Sequence, residues 1–234
     1  MDLEPTIQPA PTRLSPLTPA PKPSFGFASP IPPWDWRGVK GALTSVKDQG
    51  ACGSCYAFAA VAVVESAYMI AFGTNYPNFS EKQILDCTVG KGNDGCVGGN
   101  SKIALDYIKS NGIVAESSYP YQASVGACQQ DSGPYKISGR IAYSGCNSIR
   151  NAVRQKPVSV ALAASGWSGY ESGIFSCPVD PQVNHVVLLV GYTSLRHWII
   201  KNSWGTSWGD QGYMTINQDR DCNICKYTGS HAIV

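Results

Sequence analysis

Nine cysteines constrain this chain more than any other feature, at positions 52, 55, 87, 96, 128, 146, 177, 222 and 225. An odd count admits at most four disulfides and leaves one thiol over. Reduced cytosolic proteins of this size rarely carry so many, so the count implies an oxidising compartment and a spare, reactive thiol. The pairs 52/55 and 222/225 could nominally build a zinc site. They lie at opposite ends of the chain, however, and no metal or other cofactor is expected. In "DQGACGSCYAF", Asp48 to Phe58, Cys52 and Cys55 stand three residues apart. That spacing suits a dithiol redox pair as well as a structural cysteine beside a nucleophilic one. The motif alone leaves the choice open.

At 234 residues the chain can form one large domain or two that share an interface. A net charge of +2 and a pI near 8.0 exclude the strong electrostatic footprint of a nucleic-acid or anionic-membrane binder. The longest apolar run, "AFAAVAVVESAYMIAF", is broken by Glu65 and Ser66 and falls short of the roughly 20 residues of a membrane span. It reads as a buried helix. Ten of the sixteen prolines fall within residues 1–33. Each removes a backbone donor and favours extended chain, which predicts a disordered linker or tail over residues 1–30. This segment lacks the basic start and continuous apolar run of a secretory signal, so a secreted or lysosomal product would be cut from a longer precursor.

From Trp34 onward the pattern is globular. Apolar residues recur at helical spacing from Ser54 to about Ala71, with Gly73 as a stop. "SEKQILDC" places Gln83 three residues after Ser80, the reciprocal arrangement of a capping box. A third helix is predicted from about Ser101 to Ser110, and "NSIRNAVRQK" predicts a short one before Pro157. The texture then turns to strands: "VSVALAA", "HVVLLVGYT", "HWIIKNSW" and "GYMTINQ". A helical half followed by a strand-rich half indicates an α+β fold.

Two stretches resolve the cysteine question, "QVNHVVLLVGY" and "WIIKNSWGTSWGDQGY". His185 lies 130 residues beyond Cys55, and Asn202 lies 147 beyond it, flanked by Trp204 and Trp208. With Cys52-Gly53-Ser54-Cys55-Tyr56, this resembles the papain family of cysteine proteases, whose signature has His and Asn at about these distances. "IPPWDWRGVKGALTSVKDQG", "SEKQILDC", "GCVGGN" and "KNSWGTSWGDQGYM" extend the resemblance over residues 31–234.

The resemblance implies a two-lobed α+β fold within a peptidase domain at 31–234. A helical lobe spans about 40–135 and an antiparallel β-barrel-like lobe about 136–225, with termini crossing between lobes and the active-site cleft between them. It implies a cysteine endopeptidase acting through an acyl-thioester on Cys55. His185 would be the general acid and base, Asn202 would orient it, and Gln49 would serve the oxyanion hole. Gly98, Gly99, Asn100, Trp204 and Trp208 would meet substrate. The implied disulfides are Cys52–Cys96, Cys87–Cys128 and Cys177–Cys225, with Cys146 and Cys222 left for an extra bridge.

Tyr56 departs from the family's usual tryptophan. Asn100 and Ser101 stand where larger apolar residues are common, which implies a more polar or more open subsite for the second residue before the scissile bond, with "KYTGS" as its far wall. No histidine falls between Cys87 and Cys128, where the carboxypeptidase members carry a blocking loop. His197 and His231 match no family role and are expected at the surface or in packing. Asn78-Phe79-Ser80 is a glycosylation sequon. The implied partners are protein or peptide substrates, an autoinhibitory propeptide ahead of the proline-rich segment and cystatin-like inhibitors, acting on a monomer in a lysosomal, vacuolar or extracellular setting. Two rivals remain. One is a catalytically silent papain-like binding or structural module. The other is a Cys52/Cys55 oxidoreductase, which lacks its βαβ context.

Overall fold

The computed structural model describes residues 32–73 and 78–234, so the predicted linker at 1–30 lies outside the described residues. In chain order these form β1 (Trp34–Asp35), α1 (Cys55–Phe72), α2 (Glu81–Cys87), α3 (Ser101–Asn111), β2 (Gly139–Tyr143), α4 (Cys146–Val153) and β3 (Val158–Leu162). There follow β4 (Ile174–Phe175), β5 (His185–Tyr192), β6 (His197–Lys201), β7 (Tyr213–Asn217) and β8 (Gly229–Ile233). The strands make one sheet in the order β2-β8-β3-β5-β6-β7-β4, with β1 added to β5. All pairs are antiparallel except β4 with β7.

α1 is the central element. Twelve of its eighteen residues are buried on every side of the helix, which marks it as a core helix and not an amphipathic surface one. Its alanines let α3 and β5 pack closely against it. By length and composition it could also cross a bilayer. Here protein covers it, and its one acid, Glu65, accepts from Lys47 Nζ at 2.7 Å, the Phe79 amide at 2.9 Å and Thr44 Oγ1 at 2.6 Å. Gly73, at φ +96°, ends the helix where the sequence indicated.

The capping box of α2 forms only by half. Ser80 Oγ accepts from the Gln83 amide at 3.0 Å. The Gln83 side chain turns instead to the segment after α3, accepting from the Val114 amide at 2.8 Å and donating to Tyr107 Oη and the Gly112 carbonyl. The Ser80 amide, which Gln83 would have served, donates to the Val114 carbonyl. A long-range tie has displaced a local one. The sequon asparagine, Asn78, is exposed beside this turn, whereas Ser80 is fully buried.

Strands β2 and β8 were not legible as strands. β8, "GSHAI", has little β-propensity, yet it pairs along its whole length with β2 and touches β3 at Ser159. Gly229 is required there, since a Cβ would come within 2.7 Å of Val158 Cγ1. On β8, His231 is buried, with Nε2 3.0 Å from Tyr143 Oη. Burial, with Lys156 nearby, lowers its pKa to about 4.

Candidate active site

Antiparallel pairing of Leu188 with Lys201 brings the first residue of β5 beside the residue that follows β6. Those two residues are His185 and Asn202. His185 Nε2 lies 2.8 Å from Asn202 Oδ1, and both side chains are buried. A carboxamide oxygen can only accept, so Nε2 carries a proton, and Nδ1 is the nitrogen left to titrate. The Ser203 amide also donates to Asn202 Oδ1, at 2.9 Å, which fixes the carboxamide. The Trp204 ring lies over the imidazole with centroids 5.0 Å apart, and Trp167 meets it edge-on at 5.9 Å.

Cys55 opens α1. Ser54 makes no side-chain cap there; its hydroxyl is engaged with Tyr121 Oη at 2.6 Å. Helix N-termini leave amides without intrahelical partners, and the Cys55 thiol lies against its own amide, that of Tyr56 and that of Val186, next to His185. Burial pushes the thiol up from its ordinary value, against the pull of those amides. Burial likewise pushes the His185 imidazole down to about 4, opposed by its bond to Asn202. Taken singly, each group favours its neutral form.

Cys55 and His185 border one cleft of about 550 Å³, together with Gln49, Gly98, Gly99 and Asn100. Gln49 Nε2 donates to the Cys52 carbonyl at 2.9 Å, and its Oε1 accepts from Ser203 Oγ at 2.7 Å. One amide hydrogen therefore remains for the cleft. Gly98 sits at φ +149° facing open space, and Gly99 is bare for a different reason. A Cβ on Gly99 would come within 2.5 Å of Asn93 Oδ1 and 2.8 Å of Tyr56 Cδ1. Tyr56 is fully buried, its hydroxyl reaching the Gly95 carbonyl. Asn100 caps α3, its Oδ1 accepting from the Lys102 amide at 2.9 Å.

Trp204 borders the cleft, but Trp208, expected at the substrate, does not. It stacks on Trp167 at 6.0 Å and donates Nε1 to the Trp167 carbonyl at 2.9 Å. Sequence reasoning missed Trp167, which offered only an isolated indole between glycines and serines. It also missed a buried charge cluster behind β5. Lys47 Nζ lies 2.7 Å from both Glu65 and Glu81, and Lys201 Nζ donates to the Thr44 carbonyl at 2.7 Å. Val186 and Asn202 share the small cavity that this cluster lines. Burial works against the charge on Lys47, but Glu81 and Glu65 hold its pKa above the usual lysine range. Burial lowers Lys201 to about 8 and raises Glu81 to about 8, the latter against the pull of Lys47.

Eight cysteines are bridged: Cys52–Cys96, Cys87–Cys128, Cys146–Cys225 and Cys177–Cys222. Cys55 is free. Cys52 is thus tied to Cys96 and is not the redox partner of Cys55. The expected Cys177–Cys225 pairing is corrected. The Cys177 amide donates to the Arg220 carbonyl, which lays Cys177 beside Cys222, while Cys225 sits one tight turn later against the head of α4 and Cys146.

Residues 31–232 match the family model described as papain family cysteine protease. The chain is similar to ananain of Ananas comosus, 42% identical over 195 residues that make up 79% of this chain and 55% of ananain. It spans little more than half the length of such curated relatives. A Carica candamarcensis cysteine protease, CMS1MS2, solved in complex with E-64, matches with a TM-score of 0.78 at 34% identity, covering 87% of this chain and 99% of that one. Digestive procathepsin L2 from Tenebrio molitor larval midgut matches with a TM-score of 0.80 at 33% identity, covering 87% and 68%.

Proposed function

The chain belongs to the papain family of cysteine proteases, and from that premise we propose that it is an endopeptidase that hydrolyses peptide bonds through an acyl-thioester on Cys55. One observation carries the reading. The single free cysteine opens an uncapped helix and borders the same cleft as a histidine whose Nε2 is fixed by Asn202.

Burial disfavours a thiolate alone and an imidazolium alone. Moving the thiol proton to His185 Nδ1 creates both charges at once, and their mutual attraction offsets the two desolvation costs. The amides at the head of α1 add to the thiolate's side. Cys55 Sγ then attacks the substrate carbonyl. The second Gln49 Nε2 hydrogen and the Cys55 amide meet the developing oxyanion. As the C–N bond breaks, His185 returns its proton to the departing amine. Water, deprotonated by His185, hydrolyses the thioester and frees Cys55. Substrate lies extended along Gly98–Gly99, adding as a strand. The Gly99 N–H and carbonyl have no backbone partner among the described residues, which supports that role.

Four disulfides support an oxidising compartment, lysosomal, vacuolar or extracellular. The likeness to a relative solved as procathepsin supports control by a propeptide. Hydrolysis of internally quenched peptides tests the activity. The wild type should cleave within the peptide, and Cys55→Ser should not. A properly disulfide-bonded wild type that cleaves none of a diverse peptide set would overturn the proposal in favour of a silent binding module.

A further inference from the structure

Resting on the endopeptidase reading, we propose that Lys102 gives the cleft a preference for substrates with a glutamate or aspartate upstream of the scissile bond. The residue to be recognised is the second before that bond. Lys102 lies in the first turn of α3, two residues beyond Asn100, and borders the same cleft as Cys55 and His185. It is the only lysine or arginine on that border, and no aspartate or glutamate accompanies it. Among the described residues its ammonium has no ion pair and no hydrogen-bond acceptor. The nearest acid along its helix face is Asp106, one turn on. Asp106 is already held by Arg140, whose Nε and Nη2 donate to its two oxygens at 3.0 and 3.1 Å.

The rest of the pocket suits a side chain with a short apolar stem and a charged end. Ala161 and Val183 give the cleft border apolar groups, while Asn100, Tyr227 and Thr228 give it polar ones. Lys226, next in the chain to the lining residue Tyr227, is spent on Asp180 at 2.8 Å. Lys102 is therefore the uncompensated charge that a bound peptide meets. A lysine or arginine at the same substrate position would face like charge with no carboxylate to relieve it. Lys102 is half-buried. Its pairing with a substrate carboxylate belongs to the range of partly exposed ion pairs, about two- to fivefold in kcat/KM.

The test compares fluorogenic peptides that differ only as Glu, Gln or Lys at the second position before the cleaved bond, at about pH 6.5, where the glutamate is ionised. The wild type should favour Glu over Gln by about two- to fivefold and disfavour Lys. That ratio should approach one in about 1 M salt, where the Debye length is about 3 Å. Lys102→Gln should abolish the Glu-over-Gln ratio, and Lys102→Glu should invert it toward the Lys peptide. A wild-type ratio of one or less, or a ratio that salt and both variants leave unchanged, would overturn the preference while leaving the endopeptidase intact. If none of the three peptides, nor a leucine counterpart, is cleaved, the endopeptidase reading falls and the preference with it.

Discussion

Replacing Glu65 with alanine should destabilise this protein by several kcal/mol. The residue is 2% exposed and sits mid-helix in α1, with three donors on its two oxygens. Truncation leaves the Phe79 amide without its acceptor, the Thr44 hydroxyl without its acid, and Lys47 with Glu81 alone. Lys47 and Lys201 would then face one carboxylate instead of two. Breaking a buried pair by removing one partner typically costs about 3–5 kcal/mol. An orphaned buried donor adds about 1–3 kcal/mol unless water reaches it. For a domain of this size each kcal/mol lowers Tm by about 2–4 °C, so the combined cost of about 4–8 kcal/mol corresponds to a drop of roughly 8–32 °C. Glu65→Gln keeps the shape and an acceptor but not the charge, and should fall between. Urea unfolding followed by far-UV circular dichroism measures both, with the midpoint moving and the slope unchanged. If Glu65→Ala costs under about 1 kcal/mol, the cluster is not the electrostatic keystone described above, and the reasoning fails.

Other consequences are smaller but separable. Removing the Cys146–Cys225 bridge in a double alanine variant opens a loop of 79 residues and should cost up to about 4 kcal/mol by loop-closure entropy, read as a urea midpoint shift. Gly99→Ala should lose about 1–3 kcal/mol through overpacking on Tyr56 and Asn93. Gly98→Ala has room for its Cβ and carries only backbone strain at φ +149°. Thermal melts of the two should therefore rank Gly99→Ala the lower. His231 is held neutral by burial, with a folded pKa of about 4 against about 6.5 unfolded. Below pH 6.5 the unfolded chain takes up the proton first, so this stability is full above pH 6.5 and drains away as pH falls toward 4. The groups facing His231 are Tyr143, which is neutral there, and Lys156, which stays charged. His231→Phe should flatten the acid limb of midpoint against pH; an unchanged limb would show that His231 does not titrate with folding.

The helices were legible because their signals are local. α1 is an apolar run ended by Gly73, and α3 runs from the Asn100 cap to Gly112. Failures came where distant chain segments decide. Gln83 abandons its local capping partner for Val114, thirty-one residues on. β8 is a strand because β2 and β3 flank it, not because "GSHAI" favours one. Cys225 and Cys222 are nearly equivalent in sequence, and only the fold separates them, through the Cys177–Arg220 backbone contact beside Cys222 and the head of α4 beside Cys225. The site itself was legible because cysteine, histidine and asparagine occur in a recognisable order and spacing. Trp167 and the Lys47–Glu65–Glu81 cluster were not, because indoles and charges carry no signal of burial until the fold brings them together.

The central claim is that Cys55 rests as a thiolate paired with His185, although burial favours the neutral form of each. Iodoacetamide alkylation of the unreduced protein across pH, with peptide mapping, tests it most directly. At about pH 5.5 an ordinary thiol is roughly one-thousandth ionised and reacts slowly. The ion pair requires fast labelling confined to Cys55 already at that pH, and an onset that moves to higher pH in His185→Ala. If wild-type Cys55 reacts only in alkaline solution, with an onset that His185→Ala leaves in place, burial has won and the thiolate–imidazolium pair is wrong.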